Sequence, residues 1–394
     1  MSSEGLLRKV PLPVSNLIAR TSSEAESLVQ HGSAYPRLHA SDSQGQQRCS
    51  SERWRPAFLS QVRLRHALLG LILLAGAVLG ICALSSGSLF DGDEVYAKFL
   101  VVGDWGRLGQ SNQTEVARVM AKKAALLKAN FVISTGDNFY DSGLLGSDDP
   151  AFDTSFRDVY TAASLQIPWF AILGNRDYGS DSDCDPDSAG CTYSPLHQLS
   201  LELVKRDARW NLERSYQLTL GGGQAEIFFI DTTPYIEDYY SEPWAGFVGG
   251  IREQSWRSEL AELETKLARS AASWKIVIGH HAIRSNRRRR YDLLADSLEP
   301  LLERYGVQAY FCGHDHDLQH INAEGSGVHY LVSGAGSLTT KGFLDDADSL
   351  FQYDGSGFVA VTLSRDELLC EFLGIEGNYL QPIHTARIPK LPPH

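Results

Sequence analysis

Five times between Lys98 and His316 a short apolar run stops at a glycine and a metal-capable side chain follows. Phe99–Val102 runs into Gly103-Asp104, and 131–135 into Gly136-Asp137-Asn138-Phe139-Tyr140. The run 169–173 meets Gly174-Asn175-Arg176-Asp177, 274–278 meets Gly279-His280-His281, and 309–312 meets Gly313-His314-Asp315-His316. Asp104, Asp137, Tyr140 and Asn175 offer oxygen; His280, His314 and His316 offer imidazole nitrogen. Seven donors exceed what one tetrahedral zinc takes but fit two adjacent metals that share a carboxylate. Oxygen donors with a phenolate favour Fe(III) in one position, and a histidine-rich second position suits Fe(II), Zn or Mn. Two cations about 3.5–4 Å apart make bound water more acidic and clamp the oxygens of an in-line displacement, which is what phosphoryl transfer requires. One Gly-Asp or Gly-His pair alone is more often an ordinary surface or core feature; the weight lies in the set.

The elements that must deliver these side chains are legible in the same runs. Uninterrupted β-branched and aromatic stretches suit strands buried on both faces. Helical patterns at Thr114–Lys128 and Gln254–Ala268 lie between them. The alternation predicts an α/β domain with a mixed sheet system. In such folds ligands gather beyond the carboxyl ends of strands. Glycine at each corner permits unusual backbone angles and close approach. A sixth run, Ile227–Ile230, meets Asp231 directly, which either supports the site or caps a turn.

Charge divides the chain in two. Its 394 residues carry a net charge of −12, which argues against a general nucleic-acid binder. Residues 1–66 carry +4, are rich in Ser, Gln and Arg, and read as a disordered tail. Ala67–Leu84 contains no charge and, as a helix, spans about 27 Å, roughly the bilayer core. Arg53, Arg55, Arg63 and Arg65 precede it, and Asp91, Asp93 and Glu94 follow it. The positive-inside rule then gives a type II single-pass protein: a membrane helix over 67–87, a linker over 88–96, and a lumenal or extracellular part beyond. Cleavage near Ala83 and Ser85 would instead release a secreted form. Gly76 and Gly80 form a GxxxG pair, a weak hint of a dimer. An oxidising compartment would let Cys184 and Cys191 pair across their polar loop. Cys312 and Cys370 read as packed thiols, and Asn112-Gln113-Thr114 is a glycosylation sequon.

The motifs GDWG, GDNFY, GN-x-D, GHH and GHDH, in this order, resemble the purple acid phosphatases, in particular their small single-domain form in plants and the tartrate-resistant acid phosphatase of animals. The resemblance covers about residues 97–388 and extends to stretches such as NQTEVA, FFIDTTP and GHHAIRS. It implies a sandwich of two mixed β-sheets flanked by helices. It also implies hydrolysis of phosphate monoesters at acid pH through a metal-bridging hydroxide. Carried over, Asp104, Tyr140 and His316 hold the ferric ion, while Asn175, His280 and His314 hold the divalent ion. Asp137 bridges both.

Two positions depart from the family. Arg176 stands where the family has histidine inside GN-H-D, and Arg289 aligns with a second family histidine in the loop after GHH. Those histidines position the phosphate and help protonate the leaving group. Arginine cannot act as a general acid, yet it remains a good phosphate clamp. The departures predict a working metal centre with weakened leaving-group protonation. A phosphate-binding protein with little catalysis and a phosphodiesterase remain as rival classes.

Other features admit bland readings. His281 is either a further catalytic contact or a partner of the metal shell. His320 reads as a neighbour of the site rather than a ligand. The run Arg287–Arg290 is a solvated loop, a substrate-attracting patch or a processing site. The alternating Asp181, Asp183, Asp185 and Asp187 lack the Gly and Glu of an EF-hand.

Overall fold

The computed structural model describes residues 94–180, 193–287, 290–344, 348–377 and 380–391. The expected tail, the 67–87 membrane helix, most of the linker, the Cys184–Cys191 pair, the alternating aspartates and Arg289 lie outside the described residues. Among the described residues no helix is long and apolar enough to cross a membrane.

Two seven-stranded mixed sheets form the body of residues 94–391. The first runs, in spatial order, His384–Pro389 (β14), Glu367–Gly374 (β13), Gly357–Ser364 (β12), Val95–Val102 (β1), Phe131–Ser134 (β2), Trp169–Ala171 (β3) and Trp210–Leu212 (β4). The second runs Ser349–Tyr353 (β11), Leu318–Ile321 (β9), His329–Ser333 (β10), Ala309–Cys312 (β8), Trp274–Ile278 (β7), Ala225–Phe229 (β6) and Tyr216–Leu220 (β5). Strands β1 to β4 are mutually parallel, as are β6, β7, β8 and β10; the remaining pairings are antiparallel. The mixed α/β sandwich expected from the sequence is the fold found.

Strand parity sorts the core into layers, because successive side chains leave a strand on opposite faces. Phe99 and Val101 of β1 enter the middle layer between the sheets, where Ile133, Ile276 and Phe311 also lie. Leu100 and Val102 face outward and pack with Val116, Met120 and Ala124 of helix α1 (Gln113–Leu127). On the other side Tyr310 and Cys312 of β8 pack with α3 (Trp256–Arg269) and α4 (Asp292–Arg304) through Leu263, Leu294 and Leu298. Helix α2 (Leu201–Arg206) is a short turn beside β4. Both faces of each central strand are therefore covered, which explains why their sequences are uninterrupted apolar runs. Cys312 and Cys370 are buried free thiols, as their surroundings suggested. The run 169–173 yields a strand of only three residues, since Ile172 and Leu173 already lead into the Gly174 turn.

Candidate metal centre

The parallel strands β1, β2 and β3 of one sheet, and β7 and β8 of the other, end at the five glycine corners. Three of the side chains delivered there sit on left-handed backbone: Asp104 at φ 59°, Asp137 at 51° and His314 at 67°. Such conformations are uncommon for non-glycine residues and persist only where the surroundings over-determine them. Here the surroundings do so. Asp104 N–H donates to Gly136 O at 3.0 Å, and His314 N–H donates to Asp104 Oδ2 at 2.9 Å. The glycines permit the close approach: a Cβ on Gly174 would lie 2.3 Å from Asp137 Oδ1, and one on Gly313 2.4 Å from Asp104 Oδ2.

All seven expected donors converge. The Tyr140 hydroxyl lies 2.9 Å from Asp104 Oδ1, 2.8 Å from Asp137 Oδ2 and 3.0 Å from His316 Nε2. Asn175 Oδ1 lies 3.2 Å from His280 Nε2 and 3.0 Å from His314 Nδ1. Asp137 belongs to both groups, because its Oδ2 faces Tyr140 while its Oδ1 lies 3.3 Å from His280 Nε2. Its Oδ1 also accepts from Arg176 N–H at 2.8 Å.

These contacts test whether cations fit. His280 Nδ1 faces the Thr135 carbonyl at 2.8 Å, which can only accept, so Nδ1 carries the hydrogen. The Nε2 lone pair of a neutral ring then faces two further acceptors, Asn175 Oδ1 and Asp137 Oδ1. In the other group one hydroxyl hydrogen cannot satisfy both Asp104 and Asp137. Convergent acceptors in a buried place call for positive charge, and the donor types suit transition metals. Electrostatics agrees. Burial, with the Asp104 charge, raises Asp137 above the usual carboxylate range against the pull of His280. Burial, then the Asp104 and Asp137 charges, holds the Tyr140 phenol well above its ordinary value. Burial lowers His280, but the Asp137 and Asp104 charges outweigh it and the net shift is upward. A bound multivalent cation inverts that logic and favours the anionic oxygens.

Asp177 holds the corner together from behind. Its carboxylate accepts from the backbone N–H of Asn138, Phe139 and Gly174 and from the Gln198 side chain. Burial and the neighbouring Asp137 charge push it up to about 7.

The centre opens into a cleft of about 300 Å³ lined by Arg107, Asn175, Arg176, Tyr239, His314 and His316, among others. Arg176 is exposed on this wall. Asp231 lies apart from the donors: Oδ1 caps the turn at Thr233, and Oδ2 accepts from Tyr178 and Arg214. His320 is likewise apart, hydrogen-bonded to His329 and His384. Two members of the arginine run are tied down. Arg287 pairs with Asp317 and donates to Thr340 O and Lys341 O, and Arg290 pairs with Asp296 at 2.7 Å. Arg287 is buried in its pair, whereas the Arg290 pair is solvent-exposed. Three contacts escaped sequence reasoning: Tyr291 hydroxyl to His314 Nε2 at 2.8 Å, Tyr239 hydroxyl to His281 Nε2 at 3.2 Å, and Arg107 stacked on Tyr140. None leaves a spacing or composition signal.

Comparison with known proteins gives consistent results. A calcineurin-like phosphoesterase family model matches residues 97–318. Purple acid phosphatase 4 of Arabidopsis thaliana is 41% identical over 300 residues, covering 74% of this chain and 84% of that protein. Human tartrate-resistant acid phosphatase type 5 is 29% identical over 338 residues, covering 78% and 95%. Among solved structures, GAP50, the anchor in the inner membrane complex of Plasmodium, shares the fold at TM-score 0.59 and 22% identity, over 76% of this chain and 90% of that one.

Proposed function

The chain belongs to the purple acid phosphatases of the calcineurin-like phosphoesterase family and is a phosphoric monoester hydrolase that works at a dinuclear metal site; from this premise we propose how its own residues divide the work. Asp104, Tyr140 and His316 would hold a ferric ion, and Asn175, His280 and His314 would hold Fe(II), Zn or Mn. Asp137 would serve both. The observation that carries this reading is Asp137 itself, whose Oδ1 and Oδ2 face different donor groups. When bound, the metal pair supplies Lewis acidity, which offsets phosphoryl charge and makes water a competent nucleophile at acid pH.

The protein does the positioning. The Thr135 carbonyl sets the His280 ring so that Nε2 faces the centre. Arg176 faces the cleft as a clamp for the phosphoryl oxygens, with its backbone N–H holding Asp137. Because a guanidinium does not release its proton, leaving-group protonation is weakened relative to a histidine-bearing relative. Hydrolysis of activated aryl phosphates is affected less than that of alkyl phosphates. Arg289 has the same consequence at the second family position.

Metal analysis of the purified protein with a substrate panel tests the reading. Two ions per chain, one of them iron, and steady monoester turnover support it. A preference for bis-aryl diesters, or tight phosphate binding without turnover, overturns it. We further propose that residues 67–87 anchor the catalytic part on the lumenal or extracellular side. Carbonate extraction and protease protection of the full chain check this, and release of a soluble form would mean cleavage.

A further inference from the structure

Thr232, 0% exposed, follows β6 and makes three contacts through one hydroxyl. Its Oγ1 accepts from His280 N–H at 3.1 Å and from His281 N–H at 3.0 Å. A hydroxyl has two acceptor lone pairs and one hydrogen, so these two bonds use its accepting capacity. The third contact, to His281 Nδ1 at 2.9 Å, must then be a donation from the hydroxyl. A neutral His281 ring receiving a hydrogen bond at Nδ1 carries its own hydrogen on Nε2. Nε2 lies 3.2 Å from the Tyr239 oxygen, which therefore accepts from it. The phenolic hydrogen of Tyr239 is turned away from His281.

Tyr239 lines the cleft with Asn175, Arg176 and His314. Its ring is held by Trp244 (centroids 5.2 Å apart) and by the His281 ring at 5.5 Å. His281, 0% exposed, has both ring nitrogens committed to Thr232 and Tyr239 and cannot reach substrate itself. Although its nitrogen lies near those of His280 and His314, the Thr232 bond keeps its Nδ1 lone pair occupied.

We propose that Tyr239 is a catalytic residue, its hydroxyl donating a hydrogen bond to the departing ester oxygen, and that Thr232 and His281 are positioning residues that dictate the direction of that donation. This rests on the phosphatase reading above. The step balances as a hydrolysis: a water-derived oxygen forms its bond to phosphorus as the P–O bond to the ester oxygen breaks. The departing oxygen gathers negative charge while receiving the Tyr239 hydrogen, and it leaves as the alcohol by taking that proton, which solvent water returns to the phenolate. The contact is stronger in the transition state than in the ground state, so it acts on kcat. It matters most for poor leaving groups, whose oxygen carries the most charge as the bond breaks. It also identifies the group that assists departure in a cleft where Arg176 cannot give up a proton.

The test compares Tyr239→Phe and His281→Phe with the parent chain on an alkyl phosphate and on p-nitrophenyl phosphate, with metal content measured for each. Tyr239→Phe is expected to lower kcat for the alkyl ester about 100- to 1000-fold, as loss of one transition-state donor implies, with p-nitrophenyl phosphate changing far less. KM and metal content stay unchanged. His281→Phe should reproduce part of the alkyl-specific loss. Equal losses on both esters, a change in KM alone, or no change would each overturn the role of Tyr239 while leaving the phosphatase reading intact. A parent chain inert on both esters would sink that reading, and this inference with it.

Discussion

The guanidinium carbon of Arg107 lies 3.6 Å from the centroid of the Tyr140 ring. Arg107 is anchored there by Asp141 at 3.3 Å, and its buried Nε has no hydrogen-bond partner among the described residues. A cation over an aromatic face is attracted by the ring's electrons. It also stabilises the filled orbitals of a phenolate below. If Tyr140 is the ferric phenolate, its charge-transfer band is therefore held at higher energy by Arg107. Replacing Arg107 with Leu should move the visible band to longer wavelength, with both metals retained. An unmoved band in a fully loaded variant would disprove the electronic link.

The Tyr291 hydroxyl engages His314 Nε2 and so presents Nδ1 to Asn175. Outer partners of this kind orient a metal ligand, and their loss typically costs about 10–100-fold in metal affinity. Tyr291→Phe should weaken the divalent ion by that amount in a competition titration, while the colour of the ferric site persists. Loss of both ions together would show instead that Tyr291 supports the fold at large.

Arg176 is exposed on the cleft wall and holds Asp137 through its backbone N–H. Arg176→His introduces a group able to pass a proton without disturbing that backbone bond. Alkyl phosphate turnover should rise by about 100-fold, the lower end of the range for general acid catalysis. Hydrolysis of p-nitrophenyl phosphate should rise less. Parallel changes in the two rates would mean that proton supply does not limit the native enzyme.

His320, His329 and His384 form a hydrogen-bonded chain that joins β9 and β10 of one sheet to β14 of the other. Burial first, then the neighbouring His329 and His384, lowers His320 from 6.5 to about 3, and burial lowers the other two. The unfolded chain thus takes up protons that the folded chain refuses. The associated stability is fully present above pH 6.5 and is lost as pH falls toward about 3. For His320 the slope is up to about 1.4 kcal/mol per pH unit inside that window. Urea midpoints at pH 7 and pH 4.5 should differ less in His320→Phe than in the parent. Equal differences would remove the histidine chain as the cause.

How much of this was legible beforehand depends on what kind of information each feature carries. The strands announce themselves because burial on both faces leaves unbroken apolar runs, as in β1 and β7, and their ends are marked by glycines that close packing demands. Donor types follow directly, since Asp104, Asp137, Tyr140, Asn175, His280, His314 and His316 sit at those ends. Strand length was less secure: β3 stops at Ala171 because the turn that presents Asn175 takes over the apolar residues beyond it.

From its amino acids alone this protein declares a rim of metal-binding groups on an α/β scaffold, because backbone preference and hydrophobic pattern are local properties written in order along the chain. Folding alone decides which atom of Asp137 faces which donor group, that Arg107 covers Tyr140, and that Thr232 aims His281 at Tyr239. It also ties Arg287 and Arg290 into ion pairs, where the sequence alone left a solvated loop, a substrate-attracting patch and a processing site open. Those relationships join side chains from different strands and loops, and their geometry depends on how two whole sheets pack. No spacing rule carries such information, since hydrogen-bond direction is set by the positions of atoms in space and not by their order in the chain.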